Sequence, residues 1–141
     1  MDTILFACVH NAGRSQMAAA WFNRLCDPAK ARAISAGTQP AKQVHSEVVE
    51  AMREVAIELG DVKPQLLSAE LASGATLLVT MGCGEECPYV PGLQRVDWPL
   101  QDPKGLAIEE VRGIREDIRA RVRSLLQERS WIAEGNQFLR G

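Results

Sequence analysis

Apolar residues follow one another with almost no polar break over residues 3–7, Thr-Ile-Leu-Phe-Ala, and again over residues 75–80, Ala-Thr-Leu-Leu-Val-Thr. A strand covered on both faces has this pattern, whereas a half-exposed strand alternates. Shorter runs of the same kind occupy residues 31–35 and 93–98. Between them the apolar spacing changes to three and four. Met17, Trp21 and Leu25 predict a helix over about 14–26, stopped by Asp27-Pro28. Val44, Val48, Met52, Val55 and Leu59 predict a second over 46–59, with Gly60 as its stop. Val111, Ile114, Ile118, Val122 and Leu125 predict the longest helix, over 108–128. Its outward face carries Arg112, Arg115, Glu116, Arg119 and Arg123, and Glu109 and Glu110 in the first turn suit the helix dipole. Residues 61–74 are mixed, with room for one helical turn near 68–72. Strands alternating with helices predict an α/β fold: a single-domain open parallel sheet of four strands with helices on both faces. The domain is expected to span residues 1–128. Residues 129–141 have only scattered apolar positions and are read as a tail without a predicted structure.

Composition narrows the function classes. A chain of 141 residues is long enough for one well-packed core. Lys and Arg number 16 against 18 Asp and Glu, a net charge of −2, and no basic stripe interleaved with aromatics occurs, which argues against a nucleic-acid binder. No stretch is apolar enough to cross a membrane, and the N-terminus lacks a secretory pattern, so a cytoplasmic protein is expected. In that compartment four cysteines are better read as catalytic, redox or metal-binding than as disulfides. Cys83 and Cys87 have a spacing that zinc accepts, but the second ligand pair is missing, since only His10, His45 and Cys26 remain. No metal site is expected.

One stretch organises the rest. Cys8-Val9-His10-Asn11-Ala12-Gly13-Arg14-Ser15 joins the first strand to the first helix. A turn at a helix N-terminus can wrap its backbone N–H groups around a tetrahedral oxyanion. Arg14 can add a two-pronged guanidinium clamp. Cys8 stands at the mouth of that cradle, in a positive field that favours the thiolate nucleophile. Ser15 can donate to that thiolate, or can simply start the helix. Val9, His10, Asn11, Ala12 and Gly13 supply the loop backbone. The local charge agrees: residues 8–34 carry Arg14, Arg24, Lys30 and Arg32 against Asp27 alone.

Ligands of open parallel sheets bind where loops leave the carboxyl ends of the strands. The loops after the first, third and fourth strands carry Cys8, Cys83 with Cys87, and Asp102. Asp102, in Asp-Pro, either initiates a turn or acts as a general acid for the leaving oxygen, given enough burial to hold a proton. Cys83 and Cys87 could resolve an oxidised Cys8 and then pair with each other, carrying the oxidising equivalent outward. Cys26 reads as a packing residue, and Trp21 and Trp98 as core or site wall.

Cys8-x-x-Asn11-x-x-Arg14-Ser15-Gln16-Met17-Ala18, Ser35-Ala36-Gly37 and Asp97-Trp98-x-x-x-Asp102-Pro103 together resemble the low-molecular-weight protein tyrosine phosphatase superfamily, and most of all its arsenate reductase branch. The resemblance runs from residue 3 to about 126. It implies a flavodoxin-like fold, arsenate as substrate, Cys8 as nucleophile, Arg14 on the anion's oxygens, Asn11 shaping the loop, Ser15 supporting the thiolate and Asp102 as acid. It further implies that Cys83 attacks Cys8 to release arsenite, and that Cys87 attacks Cys83 to form a disulfide reduced by thioredoxin. No bound cofactor is expected, and the protein is expected to be a monomer. The glutamate with which some relatives hold a potassium ion is Ala19 here, so no ion is expected. Two other readings stay open. A phosphotyrosine or phosphomonoester phosphatase would need only Cys8, Arg14 and Asp102, and a non-enzymatic redox or anion sensor would keep the cradle without turnover.

Overall fold

A computed structural model describes residues 1–82 and 90–133. Strand β1 (Asp2–Cys8) leads through the Cys8–Ser15 stretch into helix α1 (Arg14–Leu25), followed by β2 (Ala31–Gly37) and α2 (Ser46–Arg53). A short α3 (Ala69–Ser73), β3 (Leu77–Thr80), β4 (Gln94–Asp97) and the long α4 (Ile108–Arg129) complete the order. The four strands form one parallel sheet in the order β2-β1-β3-β4.

The two faces of the sheet bury alternate residues of the same strands, as the two-residue period requires. Ile4, Phe6, Leu77 and Val79 point into the larger core, with Met17, Trp21, Phe22 and Leu25 of α1, Val48 and Met52 of α2, and Val111, Ile118 and Val122 of α4. Leu5, Ala7, Ala36 and Leu78 point the other way, against Ala72 of α3 and its neighbours Leu67 and Leu71. Helices therefore cover both faces, unequally. The apolar runs at residues 3–7 and 75–80 are continuous because β1 and β3 are sandwiched.

Strand order fixes the site. The chain moves from β1 to β2 on one side and returns to β3 on the other, so the order reverses between β1 and β3. Ligands of open parallel sheets bind at such a reversal. In register, Cys8 lies beside Gly37, Ala7 beside Thr80, and Thr80 beside Asp97. The carboxyl ends of all four strands thus meet at one edge of the sheet.

One helix end differs from expectation. Helix α2 stops at Arg53, six residues before the predicted end, and Gly60 has no part in it. The chain closes in a left-handed turn at Ala56 (φ 64°), with Ile57 N–H donating to the Met52 carbonyl and Ala56 N–H to that of Arg53. Val55 and Ile57 still pack on the core, so the apolar stripe that suggested more helix is satisfied by the turn. Helix α4 ends in the same way at Ser130 (φ 60°), with Trp131 N–H donating to Leu126. Glycine is the usual residue there, and its absence hides the end of α2 from sequence, whereas α4 ends within one residue of expectation. Beyond α4, Trp131 is buried edge-on against Phe22 with ring centroids 6.1 Å apart, and Ile132 bridges to Cys26. The described part of the expected tail is therefore tied to the end of α1. Among the described residues no helix is long and apolar enough to cross a membrane.

Candidate active site

The loop from Cys8 to Ser15 is held open by its surroundings. The carbonyls of Cys8, Val9, His10 and Ala12 accept backbone N–H bonds from Thr38, Gln39, Ala41 and His45, which lie outside the loop. In a trans peptide the following N–H points opposite to its carbonyl. The N–H groups of Val9, His10, Asn11 and Gly13 are therefore turned to the inside, at the N-terminus of α1, as an anion cradle needs. This close seating requires Gly37. A methyl group there would lie 2.5 Å from the Val9 carbonyl oxygen and 2.9 Å from the Asn11 nitrogen.

Asn11 is the internal brace. Its backbone is left-handed (φ 50°), a conformation asparagine tolerates better than most residues. The Asn11 side-chain oxygen accepts from the Gln65 backbone N–H at 2.9 Å and from Gln16 Nε2 at 3.1 Å, which sets the orientation of the amide. The Asn11 Nδ2 group consequently faces Ser15 Oγ and donates to it at 2.8 Å. Ser15 Oγ also lies 2.9 Å from Cys8 Sγ. With Asn11 using a lone pair of the hydroxyl, the remaining hydrogen is free to point at sulfur, the arrangement that supports a thiolate. Asn11 and Ser15 are wholly buried and Cys8 nearly so. Ser15 Oγ thus lies between the Asn11 amide and the Cys8 sulfur.

Arg14 is buried too, and half of its guanidinium is already engaged. Its Nη1 donates to the carbonyls of Met81 at 2.6 Å and Leu100 at 2.9 Å. Both hydrogens of Nη1 are thereby used, which leaves the Nε and Nη2 edge for a two-pronged contact with an anion. The Arg14 Nη2 group stands 3.9 Å from Asp102 Oδ2.

Asp102 departs from expectation. Its side chain is 45% exposed rather than buried, and its Oδ1 accepts from the Lys104 backbone N–H at 3.0 Å. The Asp-Pro sequence makes the local turn, and the same segment lies against the loop. Pro103 explains the placement: a methyl group on Gly13 would come within 2.7 Å of its ring, so the bare glycine lets Pro103 rest on the loop. His45 lies alongside, its Cδ2 3.6 Å from the same point. Burial holds its imidazole below the usual range, against the opposing pull of Asp102 and Glu47.

Cys83 and Cys87 lie outside the described residues. Gly82, the residue before Cys83, is described, and it sits against Leu100 and Arg14. Cys26 lies far from the cradle by sequence and register, at the end of α1, where its thiol contacts the carbonyls of Asp27 and Ala31. Burial, then the Asp27 charge, pushes it up to about 11, as expected of an inert packing thiol. Trp21 and Trp98 are buried core residues. Among the described residues no cluster of metal-ligating side chains occurs. The sequence reading passed over Gln65, whose mixed segment offers no pattern, and gave Gln16 no role, although its amide also reaches the Asn11 carbonyl.

The site therefore combines a cysteine, a ring of inward N–H groups, a buried arginine and an overhanging carboxylate. Comparison with known proteins agrees with that inventory. Residues 3–134 match the low molecular weight phosphotyrosine protein phosphatase family. A Halobacterium salinarum protein, named provisionally as an arsenate reductase, is 38% identical over 127 residues, covering 87% of this chain and 89% of that one. The arsenate reductase of Brevibacillus brevis is 34% identical over 128 residues, 89% of this chain and 94% of its own. Among solved structures, the thioredoxin-dependent arsenate reductase of Corynebacterium glutamicum superposes with a TM-score of 0.75 at 34% identity. The match covers 91% of this chain and 61% of that longer one.

Proposed function

The chain belongs to the low molecular weight phosphotyrosine protein phosphatase family, and from that premise we propose that it reduces arsenate to arsenite with thioredoxin as the electron donor. The observation that carries the chemistry is the Asn11–Ser15–Cys8 hydrogen-bond chain under the cradle, which supports a thiolate pointed at a bound oxyanion. The similarity to arsenate reductases, and a sequence that carries Cys83 and Cys87 after β3, favour reduction over simple hydrolysis.

Arsenate binds to the N–H groups of residues 9–14 and to the free edge of Arg14. The Cys8 thiolate attacks arsenic, and one arsenate oxygen leaves as water after taking a proton. Asp102, whose carboxylate stands 3.9 Å from Arg14 Nη2, is assigned as the donor of that proton. The Cys83 thiolate then attacks Cys8 Sγ. The S–As bond breaks with its electron pair left on arsenic, arsenic falls from the pentavalent to the trivalent state, and arsenite departs from a Cys8–Cys83 disulfide. Attack by Cys87 on Cys83 frees Cys8 and yields a Cys83–Cys87 disulfide, which a thioredoxin dithiol reduces. No bound cofactor enters, and the enzyme is proposed to act as a cytoplasmic monomer whose domain runs past the expected boundary at residue 128 to include the buried Trp131.

The test is a trap. Arsenate added to reduced Cys87→Ser protein yields one arsenite and a Cys8–Cys83 disulfide, found by peptide mapping under non-reducing conditions. Unchanged thiols after arsenate treatment would rule out the relay. Because phosphate and arsenate have nearly the same shape, slow hydrolysis of aryl phosphates by Cys8, Arg14 and Asp102 accompanies the main activity and survives Cys83→Ser.

A further inference from the structure

Asp97 is exposed at the end of the edge strand β4, yet its carboxylate is not spent on solvent. Its Oδ1 accepts from the hydroxyl of Thr80 at 2.7 Å and from the backbone N–H of Gly82 at 3.3 Å. Thr80 is wholly buried, and its carbonyl accepts from Trp98 N–H at 2.8 Å, so the ladder continues one residue past the Asp97 side chain. Between these two residues, the Met81 carbonyl is held by Arg14 Nη1. Three consecutive residues at the exit of β3 are therefore fixed from two sides, by Asp97 and by the guanidinium at the anion cradle. Gly82 completes the seat: it is left-handed (φ 76°), and a methyl group there would lie 3.0 Å from the Leu100 carbonyl oxygen and 3.2 Å from Arg14 Nη1.

The next residue in the chain is Cys83. Gly82 is thus the residue from which the chain enters the segment that carries Cys83. We propose that Asp97 is a positioning residue for the second chemical step. By holding Thr80 and Gly82 it fixes the residues that lead into Cys83 beside the guanidinium proposed to bind the oxyanion, without touching substrate itself. The inference rests on the proposed reduction by Cys8 and Cys83. It assigns Asp97 to the disulfide-forming step and not to anion binding, because its hydrogen-bond partners among the described residues, Thr80 and Gly82, lie outside residues 8–15.

The experiment separates those steps in the full-length reduced protein without thioredoxin. Anion binding is read as protection of Cys8 from iodoacetamide by phosphate, mapped by peptide mass. The second step is read as arsenite released in a single turnover. In Asp97→Ala the phosphate concentration giving half protection stays within about twofold of wild type, while arsenite release slows by about tenfold or more, the scale expected on losing a hydrogen bond to a charged group. Asp97→Asn keeps an acceptor oxygen and restores most of the rate. Thr80→Val, nearly the same shape, slows release in the same sense and covers the case in which Asp97→Ala does not fold. Wild-type release rates in Asp97→Ala or Thr80→Val would overturn the proposal, as would an equal loss of phosphate protection, which would mark a general structural defect. Failure of the wild-type protein to release arsenite would instead count against arsenate reduction itself.

Discussion

At the residue scale the site depends on which groups hold hydrogens. Ser15 has one hydrogen to give, and Asn11 occupies the hydroxyl's lone pair, so that hydrogen is available to Cys8. Ser15→Ala removes the donor to sulfur and leaves a buried amide N–H of Asn11 without its acceptor. Alkylation of Cys8 by iodoacetamide at neutral pH is expected to slow by about tenfold, and the protein to lose about 1–3 kcal/mol of stability. An unchanged alkylation rate would remove Ser15 from the mechanism. His45 gives a pH signature. Its folded-state value lies below the ordinary 6.5, chiefly through burial, with Asp102 and Glu47 opposing and Lys104 and His10 adding to the shift. The unfolded chain therefore binds the proton first as pH falls. The contribution of His45 to stability is fully present above its unfolded value and is lost below it, down through the folded value. Urea midpoints measured between pH 8 and pH 5 should fall more steeply for wild type than for His45→Gln, and parallel curves would show that the ring is not held neutral.

At the element scale, what could be read from sequence was burial period, and what could not was termination. The strands at residues 3–7 and 75–80 were legible because both faces are covered. The helix-one stripe Met17-Trp21-Leu25 was legible because it faces one core. The end of α2 was not, since Ala56 adopts a turn conformation that gives no compositional signal. That mismatch is testable. Ala56→Gly removes the cost of a side chain at positive φ and should stabilise the protein by about 1 kcal/mol, even after the larger entropy of the unfolded glycine chain. Thermal unfolding reads this as a rise of a few degrees, and a drop would mean that the Ala56 methyl group contributes packing that outweighs its strain. The cradle was legible as a motif, whereas its brace was not. Gln65 reaches Asn11 across 54 residues of chain through its backbone N–H, and a backbone donor leaves no trace in residue type. The burial expected for Asp102 also failed, because Pro103, not Asp102, is the residue that seats in the loop.

At the scale of the whole molecule, a parallel sheet reversing its order between β1 and β3 brings a cysteine, an arginine and the exit of β3 to one edge. Arg14 has one edge on the carbonyls of Met81 and Leu100, in the segments that lead to Cys83 and Asp102, and the other is the edge proposed for an anion. A phosphatase needs the first of these, while a reductase that hands a disulfide outward has use for both. The central claim is therefore the thiol relay, and it is tested most directly by arsenate-dependent NADPH oxidation coupled through thioredoxin and thioredoxin reductase, with wild type beside Cys83→Ser and Cys87→Ser. Steady turnover in wild type, lost in both variants while aryl phosphate hydrolysis persists, is the expected result. Turnover that is indifferent to either substitution would contradict the relay and point to an external thiol, and hydrolysis without any arsenate turnover would make the protein a phosphatase.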